Sequence, residues 1–181
     1  MITTDENKAP VSAPLPEVWL RGPVEEVPDL LQPVAHALLQ AANEIEEIFT
    51  GFPPGLLWSR IAGTASPGFH LRHITGVLDR LFTYASGSML STEQLEFLAE
   101  ETGIGRVNEL PELLATLQER IRMSVEKLKS IDTKELLLVR YVGRNKIPST
   151  MLGLLFHSAE HALRHTGQLI VTVAVLKKEG I

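Results

Sequence analysis

The sequence predicts an all-α fold, a four-helix bundle with a short extra helix and a small β-like connector, on three observations. Four long segments repeat apolar residues at the 3.6-residue spacing of a helix that buries one face. Proline, glycine and Ser/Thr/Asn residues separate these segments where helices start and stop. One stretch alone, Leu136 to Gly143 (LLLVRYVG), has the β-branched and aromatic density of a strand, and a turn over Gly143 to Lys146 follows it.

Residues 1–24, rich in proline and polar groups, read as a flexible N-terminal extension that Trp19 and Leu20 are expected to dock on the body; residues 25–181 read as one domain. A first helix is expected from Leu30 to Phe49, with Ala37, Leu38, Ala41, Ile45 and Ile48 on one face. Pro33 falls in its first turn, where a missing N–H costs nothing, and Gly51-Phe52-Pro53-Pro54 lies beyond its end. The second helix has Ser66 as N-cap, Pro67 as first residue, a face of Leu71, Ile74, Leu78, Leu81 and Phe82, and Gly87 as stop. Ser91 and Gln94 form a capping-box pattern that opens the short extra helix, Thr92 to about Glu101. Asn108 is the expected cap of a long helix reaching Ser130, striped by Leu110, Leu113, Leu117, Ile121, Val125 and Leu128. After the connector, Ser149 or Thr150 caps a final helix that runs to about Lys178 and is closed by Gly180. That helix is apolar nearly all the way round, so it is expected among the most buried.

Composition narrows the function. The chain has 181 residues, 44% hydrophobic and 22% charged, enough for one domain with a sizeable core. A net charge of −5 and no basic run interleaved with aromatics disfavour a nucleic-acid partner. The chain contains no cysteine, so thiolate ligands, disulfides and a cysteine nucleophile are excluded, and any metal must be held by nitrogen and oxygen. The first residues lack the basic and apolar regions of a secretory signal, and the longest apolar stretch is far short of the ~20 residues of a membrane span. A soluble, cytoplasmic protein with no membrane association is therefore expected.

Histidine carries the functional signal. Five of the six histidines fall in two runs, FHLRH (His70, His73) and HSAEHALRHTGQ (His157, His161, His165). Residues four apart on a helix drift only about 40° and stand about 6 Å apart along its axis, which puts the second run on one face. Inward-facing imidazoles from two helices of a bundle are a recurrent way to hold a metal. The competing reading is a set of hydrogen-bonded core histidines, and for His36, alone among Ala and Leu, that reading is the better one. Gln168 follows His165 by one turn and is placed either to orient a ligand or to bond a neighbouring helix. Arg140, Arg144 and Lys146 are either a solvated turn or a cationic mouth for an anionic substrate. Asp79 is off the face of His73, TGIGRV lacks the strand and the GK[ST] ending of a phosphate loop, and no serine sits in a nucleophile elbow.

With FHLRHI and LLFHSAEHALRHTGQL the chain resembles the DinB-like superfamily of four-helix metalloproteins. That superfamily includes the YfiT-type metal-dependent hydrolases and the iron-binding domain of ergothioneine-synthesis sulfoxide synthases. The likeness extends from about Leu30 to Leu176 and rests on an H-x-x-H-[ILT] segment and an HxxxHxxxHxGQ segment. It implies a divalent transition metal (Zn, Ni or Fe) held by His73, His161 and His165, with one or more coordination positions open. His70 and His157 are then extra, either supporting a ligand, positioning substrate or replacing one of the three. The resemblance also implies hydrolase or thiol S-transferase chemistry on a small molecule, anionic or thiol-bearing, and a possible homodimer. The alternatives are a metal-binding protein without turnover and a structural helical module. The family name refers to DNA-damage induction and gives no reason to expect DNA binding.

Overall fold

The computed structural model describes residues 15–179. Among them five α-helices pack as a bundle beside one two-stranded hairpin: α1 (Gln32–Phe49), α2 (Pro67–Ala85), α3 (Thr92–Glu100), α4 (Leu110–Lys129), β1 (Val139–Val142), β2 (Ile147–Thr150) and α5 (Met151–Glu179). The expected all-α four-helix bundle, extra helix and β-like connector are all present. Residues 1–14 and Gly180 lie outside the described part, so most of the extension and the closing glycine are not described.

Helix punctuation works locally as the residue types require. Ser66 Oγ accepts from Phe69 N–H at 3.3 Å and Pro67 opens α2, while Gly87 follows it at φ +80°, in the region that favours glycine. Both halves of the Ser91/Gln94 capping box are made. Of the two candidate caps for α5, Thr150 is the one used, its Oγ1 accepting from Gly153 N–H at 3.0 Å. Asn108 does not cap α4. It sits inside a 3-10 turn, Val107–Glu109, because Pro111 fixes the first turn of α4 and Glu109 turns back to accept from Arg106 N–H at 3.0 Å. α1 likewise begins two residues later than expected, after a 3-10 turn at Asp29–Leu31.

The strand-like stretch finds its partner in the residues immediately after the turn. β1 and β2 pair antiparallel with Val139 opposite Thr150 and Val142 opposite Ile147. The hairpin extends further than the sequence pattern indicates, because Ile147 to Thr150 looks like a helix approach and becomes a strand only when β1 is there to bond it.

The apolar stripes meet in one core. α2 packs against α4 and α5, and α1 packs against the same two helices from the opposite side. Leu38 and Ile45 of α1, Leu71, Ile74 and Leu78 of α2, Leu117, Ile121 and Leu128 of α4, and Leu155 and Leu169 of α5 are all essentially inaccessible. Burying such side chains contributes roughly 1.5–3 kcal/mol each. Directions follow from end contacts. Lys177 near the end of α5 donates to the carbonyls of Ile48 and Thr50 at the end of α1, so these two helices run the same way. Arg72 of α2 pairs with Glu109 just before α4, and Asp79 with Arg120 about three turns into each helix, so α2 and α4 also run together. A chain leaving α2 must therefore return along it before α4 can begin, and α3 is that return.

Two expectations are corrected. α5 is not buried all round: Phe156, Leu163, Ile170 and Val171 are exposed, on a helix covered chiefly by α1 and α2. Trp19 and Leu20 are also exposed. The described end of the extension is held instead by buried Val18, whose N–H donates to Gln40 Oε1 at 2.9 Å.

Candidate metal centre

Antiparallel packing of α2 against α5 sets the first two turns of α2 beside the middle of α5. That is where His70, His73, His161 and His165 meet. His73 Nε2 lies 2.9 Å from His161 Nε2, and the ring centroids of His73 and His161 stand 4.5 and 4.6 Å from that of His165. One nitrogen from each of His73, His161 and His165 lies within 4.8 Å of the others. Two nitrogens on one tetrahedral zinc ion are about 3.3 Å apart for bonds of 2.0–2.1 Å, so the three side chains fit one ion after small shifts.

Electrostatics suit the same task. Burial first, and then the neighbouring imidazoles, push His70, His161 and His165 down to about 4. At neutral pH they are uncharged, with a lone pair free on each ring, which is the form a metal binds. Uncharged imidazoles set close together in this way form a donor set for a cation. His161 Nδ1 is buried with no hydrogen-bond partner among the described residues, a state whose cost is ordinarily avoided in a packed core.

Each ring is held differently. Phe69 stacks on His73 at 5.1 Å with 13° between planes. His73 Nδ1 lies 3.0 Å from Glu101 Oε2. His165 Nδ1 lies 3.0 Å from His70 Nδ1, which leaves Nε2 as the His165 nitrogen available to the centre. His70, almost completely buried, is thus behind His165 and not in place of His73. His157 is exposed one turn before His161, their ring centroids 5.3 Å apart, with its Nδ1 3.3 Å from Glu160 Oε2. It forms a second grouping with Glu160 and His161, but Glu160 is also paired to Arg164. Gln168 is solvent-exposed and bonds none of the histidines. His36 is half-buried on α1 with Nε2 3.0 Å from the Gly22 carbonyl, away from the cluster.

Of the two readings of Arg140, Arg144 and Lys146, the cationic mouth is not found at the cluster. Arg140 Nε donates to the Ala85 carbonyl at 2.7 Å, at the far end of α2, twelve residues or about 18 Å along the helix from His73. Arg144 is in the hairpin turn. The guanidinium whose charge reaches the centre is that of Arg164, which helps lower His161 and His165; Arg60 lines a cavity of about 260 Å³ together with Trp58, Ser66, Phe69, Thr102 and Ile104. Asp79, bonded to Arg120 and Gln94, is off the site as expected.

Glu101 and Arg80 stand behind His73 and were not singled out by sequence reasoning. Arg80 Nη2 donates to Glu101 Oε1 at 3.1 Å, and both side chains are largely buried. The available signal was Gly76 in the middle of a strongly patterned helix, since an interior glycine costs about 1 kcal/mol and marks a close approach.

No helix among the described residues is long and apolar enough to cross a membrane. The family model described as the DinB superfamily matches residues 25–169. No curated protein matches the sequence.

Proposed function

The chain belongs to the DinB superfamily, and from that premise we propose that it is a metal-dependent enzyme of hydrolase or thiol S-transferase type acting on a small molecule. The observation that carries this reading is the convergence of His73, His161 and His165 from two helices, with no fourth ligand grouped with them among the described residues. A divalent transition ion (Zn, Ni or Fe) held there would supply Lewis-acid activation at its open positions.

The side chains around the cluster define what the site accepts. Phe69 covers one face of His73 and also lines a neighbouring cavity, and a ligand that approached the centre through that cavity would pack on an aromatic ring. Arg60 faces the same cavity, though its guanidinium already donates to the carbonyls of Gly63 and Thr64. An apolar body with an anionic end suits this lining, and the cavity's size suits a small molecule over a polymer. The test is a screen of ester, amide and electrophile-plus-thiol substrates with Zn-, Ni- and Fe-loaded protein, His165→Ala serving as blank. Saturable turnover abolished by chelation supports the enzyme reading. Stoichiometric metal without turnover or ligand exchange transfers the site to storage or sensing, and loss of all metal on dialysis leaves a structural helical module.

A further inference from the structure

Because α2 and α4 run parallel, the chain between them must climb back along α2, and α3 ends at the level of His73. It delivers Glu101 to the side of His73 turned away from His161. Glu101 Oε2 meets His73 Nδ1 at 3.0 Å, while Oε1 accepts from Arg80 Nη2 at 3.1 Å. His73, Gly76 and Arg80 are spaced i, i+3, i+7 and share one face of α2. A Cβ on Gly76 would stand 2.6 Å from Arg80 Nη1 and 2.7 Å from Glu101 Oε1, so the missing side chain is what lets the carboxylate in.

A buried Arg–Glu pair can also be a packing device that ties α3 to α2. Such a pair is strongest when bidentate, each carboxylate oxygen facing its own guanidinium nitrogen. Here Arg80 Nη1 is left buried without a partner among the described residues, Nη2 alone reaches both oxygens, at 3.1 and 3.5 Å, and Oε2 makes its shorter contact with the imidazole. We infer that Glu101 is a positioning residue whose carboxylate holds His73 as the Nδ1–H tautomer and turns its Nε2 toward the cluster. An ionised carboxylate only accepts, so the proton between them sits on Nδ1. Nε2 then keeps its lone pair, and the hydrogen bond strengthens it as a donor. The three rings are therefore unequal: His73 is backed by an anion, His165 by the neutral ring of His70, and His161 Nδ1 by nothing.

The tautomer claim stands on geometry alone, whereas its consequence for metal affinity rests on the metal-site reading above, and the two are measured separately. In full-length protein freed of metal, ¹⁵N NMR of the imidazoles should show His73 protonated on Nδ1 in the wild type and in Glu101→Gln. In Glu101→Ala it should move to Nε2–H or a mixture. Zinc affinity, measured by competition with a chromogenic chelator, should fall at least ~10-fold in Glu101→Ala and by less in Glu101→Gln. An unchanged tautomer and an unchanged affinity in Glu101→Ala overturn the inference. A tautomer shift in a protein that never binds zinc keeps Glu101 as the positioning residue and overturns the metal reading. Should Glu101→Ala not fold, Glu101→Gln decides: a reduced zinc affinity with the native tautomer supports the role, and wild-type affinity overturns it.

Discussion

His70 on α2 and His165 on α5 face each other through their Nδ1 atoms at 3.0 Å, so the two histidine runs interlock a second time behind the candidate metal centre. Only one of the two nitrogens carries a proton. If His165 offers Nε2 to a metal, its Nδ1–H is the donor and His70 Nδ1 the acceptor. Replacing His70 by Ala should weaken metal binding about 10-fold, less than loss of a ligand, and also lower the melting temperature through the cavity left in a nearly inaccessible site. Isothermal titration with zinc, paired with thermal melts of the metal-free protein, separates the two effects. Unchanged affinity with a lowered melting temperature would reduce His70 to packing.

The three converging histidines should bind about one divalent ion per chain, and Ala at His73, His161 or His165 should each cost at least ~10-fold in affinity. His157, exposed at the edge of the cluster, should cost less. Metal analysis of protein purified without an affinity tag supplies the stoichiometry. Full occupancy in His161→Ala would place the metal elsewhere.

Stability of the metal-free protein should decline on acidification. His70, His161 and His165 sit at about 4 in the folded chain, lowered first by burial, and near 6.5 when unfolded. Between those values the unfolded chain takes up protons that the folded chain refuses, so stability falls as pH drops through the window and is unaffected by these groups above it. Zinc should raise the melting temperature near pH 7 and do so less toward pH ~4.5, as protons compete for the same nitrogens. A zinc-induced gain that stays constant down to pH ~4.5 would point to carboxylate ligands.

Gly76→Ala should destabilise the protein although alanine is the better helix former by about 1 kcal/mol. The new methyl would collide with Arg80, Glu101 and Phe97, each within 2.7 Å of the Cβ position, and overpacking of this kind costs about 1–3 kcal/mol. Denaturant melts measure it; a more stable variant would mean that α3 can move away from α2 freely.

Ser66→Ala removes the side chain that caps α2 directly before His70 and His73. A loss of about 1 kcal/mol is expected in chemical denaturation. No change would show that Pro67 suffices to start the helix.

Much of this protein was legible locally. The stripe Leu71, Ile74, Leu78, Phe82 has the period of a helix whatever it packs against, Ser66-Pro67 and Ser91/Gln94 begin helices by satisfying N–H groups within four residues, and His161 and His165 share a face by helical geometry alone. The pairing of β2, the 3-10 turn that displaced the Asn108 cap, and the exposed stripe of Phe156, Leu163 and Ile170 were not legible, because each depends on which neighbour arrives. So did the removal of Arg140 from the site, which follows from its reach to the Ala85 carbonyl at the other end of α2.

The sequence by itself determined the helices, their buried faces and the two histidine runs, since these follow from spacing along one chain. Only the tertiary structure decided which histidines face one another and what stands behind them: His73 toward His161 with Glu101 at its back, and His70 behind His165. The physical reason is that a helix fixes the direction of its side chains relative to its own axis, while the meeting of α2 with α5, and the return of α3 that brings Glu101 to His73, are settled by how four apolar faces close into one core.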